Sequence, residues 1–159
     1  MIRFEDSYLG QLRRLVGNRR LITPAVRAII QNEQGHILFV QRSDNRHWVM
    51  PAGSLELNES VWDALKREVV EETGLQVIAA QLMAIYSEPR FHFTNAYGGE
   101  HQMLALVFVV TEWEGELQTK TDETTDARFF APDHLPEIPV LYQETLEDLH
   151  RFDGQIILK

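Results

Sequence analysis

The segment that most constrains this chain is residues 59–73, which read as its clearest helix, with Asn58 or Ser60 as N-cap and Gly74 closing it. Val61, Trp62, Leu65 and Val69 form its apolar face. Each helical residue turns by about 100°, so Glu68, Glu71 and Glu72 share one arc. Glu72 falls at the azimuth of Val61 and Leu65, so it is expected to point inward or into a cleft. Clustered glutamates usually mean a solvated acidic face. Here Glu68 and Glu72 repel one another at i,i+4, and their place beside a buried stripe adds a desolvation cost. A bound cation removes both penalties. Carboxylate ligands favour hard cations such as Mg2+ or Mn2+, which bind substrate phosphates alongside a few carboxylates.

The remainder of the chain narrows the setting. With 159 residues, 44% of them hydrophobic, it can bury the core of a single globular domain. The absence of cysteine excludes disulfides, thiolate zinc sites and a cysteine nucleophile, and suits a reducing, cytoplasmic location. The N-terminal residues lack the pattern of a secretory signal, and the longest apolar run, 103–110, is too short to span a bilayer. A net charge of -9 argues against nucleic-acid or anionic-membrane partners. An acidic protein that handles phosphates needs cations between itself and the substrate.

Leu9, Leu12, Leu15 and Val16 predict a short helix within residues 5–20, read as an N-terminal extension (1–20) to a domain over 21–159. Strands are expected at 25–30 and 37–41, joined by a hairpin turn at 32–35, and again at 47–50, 75–87, 103–113 and 126–131. Residues 51–53 should break the third strand, 88–101 form a long irregular stretch or a hairpin extension, and 141–152 are helical. Strands on either side of an isolated central helix give an α+β class, a mixed β-sheet packed between helices.

Each neighbour of the glutamates has a role and an ordinary explanation. Arg67 is spaced to pair with Glu71 and fix its rotamer, though such helical pairs are common. Gly53 would let backbone approach a metal or phosphate, or serve the turn alone. Glu59 lies in the first helical turn, where the helix dipole favours it.

Together these residues resemble the Nudix box, G-x5-E-x7-R-E-U-x-E-E-x-G-U with U apolar. Gly53, Glu59, Arg67, Glu68, Val69, Glu71, Glu72, Gly74 and Leu75 meet every defined position. Seven positions demand a single residue type, so a chance match at a given start is on the order of 10⁻⁹ at roughly 6% usage per type. The resemblance implies a Nudix α/β/α sandwich and a pyrophosphohydrolase in which Glu68, Glu71 and Glu72 ligate Mg2+ or Mn2+. Arg67 and Glu59 would orient them, and the Gly53 carbonyl would add a ligand. It also implies a further acid outside the box as ligand or base, for which Glu123 is favoured and Asp122, Asp126 and Glu100 stay open. The chain departs from many relatives in having Pro51-Ala52-Gly53 where they have two glycines after proline.

Substrate contacts are expected from Arg42, Trp48, Arg90, Phe93 and Tyr97, by stacking or by phosphate pairing. The stretch 97–101 with His92-Phe93 resembles relatives described as ADP-ribose pyrophosphatase-like. A small-molecule nucleotide such as ADP-ribose is therefore the expected substrate. A nucleoside triphosphate pyrophosphohydrolase and a non-catalytic ligand sensor are the alternatives, the second disfavoured by the intact acidic set. The resemblance also admits a homodimer, through the N-terminal helix or the Ile156-Ile157-Leu158 tail.

Overall fold

The computed structural model describes residues 3–95 and 97–159. Three helices, α1 (Tyr8–Val16), α2 (Val61–Thr73) and α3 (Val140–Arg151), accompany two sheets. The larger sheet contains β1 (Leu21–Ile30), β4 (Ala52–Ser54), β5 (Gln76–Tyr86), β6 (His92–Thr94), β7 (Glu100–Glu114) and β9 (Ile157–Leu158). Its order is β4-β1-β7-β5-β9, with β6 alongside β7 beyond the end of β5. β1 runs parallel to β7 and β9 parallel to β5, whereas the other pairs are antiparallel, so this sheet is mixed. The smaller sheet is antiparallel: β3 (Trp48–Val49), β2 (Ile37–Arg42) and β8 (Thr124–Phe130).

Alternation along β1 and β2 explains the layers. Val26, Ala28, Ile30, Leu38 and Val40 pack with Ala64, Leu65 and Val69 of α2 in one cluster. Ile29, Ile37 and Phe39 belong to a second cluster, against which Leu141, Leu146 and Leu149 of α3 pack. Strands covered on both faces read as nearly continuous apolar runs, as 25–30 does apart from Arg27. The result is the α+β sandwich, with a mixed sheet between helices.

Several details correct the expectations from sequence. The turn at 32–35 forms, with Asn32 Oδ1 accepting from the N–H groups of Gln34 and His36 and Gly35 at φ 75°. It does not make a hairpin, because β1 and β2 leave it for different sheets and share one bridge, Gln31 to Ile37. β3 ends before Pro51 as expected, but residues 52–54 then form β4 against β1 in the other sheet; the one-sided polarity pattern of a strand is too short to see in three residues. The stretch 88–101 contains β6 and is a hairpin extension onto β7. The C-terminal tail adds an edge strand, β9, to β5. No helix among the described residues is long and apolar enough to cross a membrane.

Candidate active site

Helix α2 begins with a capping box, in which the Ser60 hydroxyl accepts from Asp63 N–H and Asp63 returns a bond to Ser60 N–H, and ends at Gly74 in the left-handed region. This fixes its rotation. Ala64, Leu65, Glu68, Val69 and Glu72 all lie on the buried side, so two glutamates occupy the stripe that otherwise makes the core. Glu68 is 8% exposed and Glu72 3%.

Glu123 meets them from the loop that leads into β8 of the other sheet. Its neighbour Thr124 donates a hydroxyl hydrogen bond to the Glu72 carbonyl at 3.1 Å, while Thr121 Oγ1 accepts from the N–H groups of Glu123 and Thr124. A bulge in the β2–β8 pairing beside Arg42 gives β8 one extra residue here, the kind of irregularity that re-aims a side chain. One carboxylate oxygen each from Glu68, Glu72 and Glu123 lies within 4.8 Å of the others.

These acids are poorly compensated. Burial pushes Glu68 up to about 7 despite the adjacent Arg67 guanidinium. It pushes Glu72 well above the usual carboxylate range, and Glu68 adds to that rise; a hydrogen bond from Ala52 N–H at 3.0 Å opposes it only in part. Glu123 is raised by burial and by Glu71. Converging oxygens on groups that resist ionisation fit a divalent cation, which restores the missing charge balance.

Arg67 organises the rim. Its guanidinium donates to both Glu59 oxygens at 3.0 and 2.7 Å, to Glu68 Oε1 at 2.6 Å, to Glu71 Oε2 at 3.2 Å and to the Ser54 carbonyl at 3.0 Å. Its main partner is thus Glu59, eight residues earlier, rather than Glu71 alone. Glu59 in turn accepts from Glu56 N–H at 2.7 Å, and the Arg67 fork holds its carboxyl below the usual range. Glu71 is tied into this rim and is not one of the three converging acids.

Gly53 leaves room for the Glu68 carboxylate in its present position. A Cβ there would lie 2.0 Å from the Glu68 carboxylate, so the acid rests against the glycine Cα. Position 52 takes alanine where many relatives have the first of two glycines, and this costs no backbone strain because, among the described non-glycine residues, only Arg46 and Asn58 have positive φ.

β4, which gives Glu72 its Ala52 N–H donor and rests against Glu68 at Gly53, also lines a cavity of about 720 Å3, together with Thr23, Ala25 and Arg27 of β1, the 90–95 segment and the start of α3. Of the residues expected to contact substrate, Arg42, Arg90 and Phe93 line it. Arg42 is forked onto Asp44 at 2.9 and 2.8 Å, and Arg90 onto Glu144 at 2.8 Å. Trp48 instead packs edge-on against Phe130, and Tyr97 is 78% exposed and stacks beside Phe4; neither lines the cavity. Of the alternative acids, Glu100 pairs with Arg20, Asp126 with Arg128, and Asp122 is exposed.

Sequence reasoning missed His101 and Arg27. His101 is buried, and Phe93 stacks on it with ring centroids 4.7 Å apart and planes 6° from parallel. Its Nε2 faces N–H donors from Arg13 and Asn95 at 3.2 and 3.3 Å, so it accepts, and Nδ1–H donates to Thr23 Oγ1 at 3.0 Å. Burial and then Arg13 lower its pKa, so the ring stays neutral. The available signal was a polar residue at the start of an apolar strand for His101 and one interrupting an apolar strand for Arg27.

The NUDIX domain model matches residues 21–150. A MutT-like protein from Streptomyces ambofaciens is 32% identical over 71% of this chain and 66% of its own length. An ADP-ribose pyrophosphatase from Methanocaldococcus jannaschii is 30% identical over 80% of this chain and 73% of its own length. The crystal structure of a MutT NUDIX hydrolase from Burkholderia pseudomallei superposes with a TM-score of 0.67 at 24% identity, covering 82% of this chain and 98% of that one, which establishes likeness of fold. Sequence, fold and the buried acidic helix agree: the chain belongs to the Nudix family and is a hydrolase acting on pyrophosphate bonds.

Proposed function

We propose that this enzyme hydrolyses the diphosphate of a nucleoside diphosphate joined to a second group, of which ADP-ribose is the model, using Mg2+ or Mn2+. The observation that carries the reading is the convergence of Glu68, Glu72 and Glu123 behind a cavity large enough for such a ligand. Glu68, Glu72 and Glu123 would hold the cation, and when bound it would supply charge neutralisation at phosphorus and a more acidic water. Arg67 and Glu59 hold the acids in register. Glu123, half-buried on a loop anchored by Thr121 and Thr124, takes the proton of the attacking water. The water oxygen bonds to one phosphorus as the bridging P–O bond breaks, giving a nucleoside monophosphate and a sugar phosphate. Phe93 lines the cavity, is 46% exposed and, backed by neutral His101, offers a flat face on which a base stacks.

A screen of nucleotides with each metal in oxygen-labelled water tests this. AMP and ribose 5-phosphate from ADP-ribose are the expected products, with the label in one of them. Release of pyrophosphate from nucleoside triphosphates, with ADP-ribose left intact, would replace this reading by the triphosphate alternative. In the same assay Glu123→Gln is expected to lower kcat by about 10²–10⁴-fold, the usual worth of a general base, with KM changed much less. A variant whose loss lies in KM would remove Glu123 from proton transfer.

A further inference from the structure

Three arginines line the cavity, and two of them carry their own counter-ions: Arg42 has Asp44, and Arg90 has Glu88 and Glu144. Arg27 has none among the described residues. Its side chain, 1% exposed, donates from Nη1 to Thr145 Oγ1 at 2.7 Å and lies 4.3 Å from the centre of the Tyr142 ring; its Nε has no hydrogen-bond partner. The acid on the same face, Asp148, already accepts from Tyr86 and pairs with Lys159 at 2.7 Å. Arg13 also has a buried Nε without a partner, but its other nitrogens are engaged by three carbonyls and His101, and it does not line the cavity.

Burying a guanidinium without a counter-ion opposes folding, because the hydration it loses is not replaced. Packing does not require it. Thr145 Oγ1 already donates to the Leu141 carbonyl, so the hydroxyl would keep a partner if Arg27 were replaced, and an apolar side chain of similar length would fill the space beneath Tyr142. The residue is therefore expensive for folding and positioned for a ligand. In the β1–β4 pairing Arg27 stands opposite Ala52, whose N–H serves Glu72, so it lies one strand away from the acidic cluster on the cavity face.

We propose that Arg27 is the anion seat of the cavity, binding the phosphoryl group of the substrate that the cation site does not hold. As a statement about substrate this rests on the function proposed above, but anion binding can be measured without turnover. Guanidinium donors suit phosphate oxygens, and a diphosphate offers one phosphoryl group to each site. Arg27 is thus a binding residue for substrate and for the monophosphate product.

The test compares wild type with Arg27→Met and Arg27→Lys. Calorimetric titration with inorganic phosphate at neutral pH in chelator is expected to show binding to wild type, weakened at least tenfold in Arg27→Met. The melting temperature of the ligand-free methionine variant should equal or exceed that of wild type, a result that a structural arginine would not give. Arg27→Lys keeps charge but loses the fork, so it should fold and bind phosphate more weakly than wild type; this variant decides the matter if the methionine protein does not fold. No binding by wild type, or equal binding by the variants, overturns the proposal. In turnover assays KM should rise tenfold or more with kcat less affected. Loss of phosphate binding in an enzyme that cleaves no diphosphate would sink the functional reading alone; diphosphate cleavage with KM unchanged in the variants would sink the Arg27 proposal alone.

Discussion

Glu72→Gln is expected to reduce turnover by at least about 10³-fold, since it removes the most buried carboxylate of the cation site while keeping its shape. Folding should not suffer. The amide oxygen can still accept from Ala52 N–H, and the variant no longer buries a charge. Without metal it should even be the more stable protein at alkaline pH. A carboxylate whose folded pKa lies above its unfolded value contributes stability that is complete below the unfolded pKa and is lost as pH rises through the folded one. Glu68 places that window between the ordinary value of 4.5 and about 7, and Glu72, raised by burial and by Glu68, acts in the same direction. Thermal melts in chelator at pH 5.5 and pH 8 should therefore show a larger loss for wild type than for the variant. Divalent cation should reverse the order, because at a hundred times Kd it adds about 2.7 kcal/mol to the form that binds it. A variant that melts lower than wild type in chelator at pH 8 would contradict this account.

The second large effect is expected at Arg67. Removing its guanidinium in Arg67→Met leaves Glu59, Glu68 and Glu71 facing one another with little solvent. Breaking a buried ion cluster on one side costs about 3–5 kcal/mol, and the acids it aligned would lose their geometry, so both stability and kcat should fall. The stability loss should be smaller at pH 5, where protonation relieves the repulsion, than at pH 8. Arg67→Lys should recover part of the stability but little of the rate, because one ammonium cannot serve Glu59 with two oxygens while also bonding Glu68, Glu71 and the Ser54 carbonyl. Denaturant unfolding at both pH values and steady-state kinetics check these outcomes. A lysine variant with full activity would show that charge alone suffices.

How much of this could be read from the sequence follows from the range of each interaction. Helix α2 was legible because its caps, its apolar stripe and its glutamates all lie within 16 residues, and helical periodicity alone turned Glu72 inward. The partnership of Arg67 with Glu59 was only half visible: at i,i+8 the two sit more than two helical turns apart, and Glu59 reaches Arg67 from outside the helix. Glu123 could be suggested from position but not located, since a bulge and two threonines aim it. Trp48 and Tyr97 were expected among the substrate contacts from residue type, which carries no information about facing direction; Phe130 and Phe4 stand beside them. Arg27 was the clearest omission. Within an apolar strand it reads as an interruption, and only the pairing with β4 and the roof formed by α3 show that it faces a cavity.

The central claim is that the buried acids exist to hold a divalent cation. Titration of the metal-free protein with Mn2+, followed by the loss of its free-ion magnetic resonance signal, measures this without any substrate. Wild type is predicted to bind at sub-millimolar concentration and Glu72→Gln to bind at least tenfold more weakly; equal titration curves for the two proteins, or no binding by wild type, would contradict it.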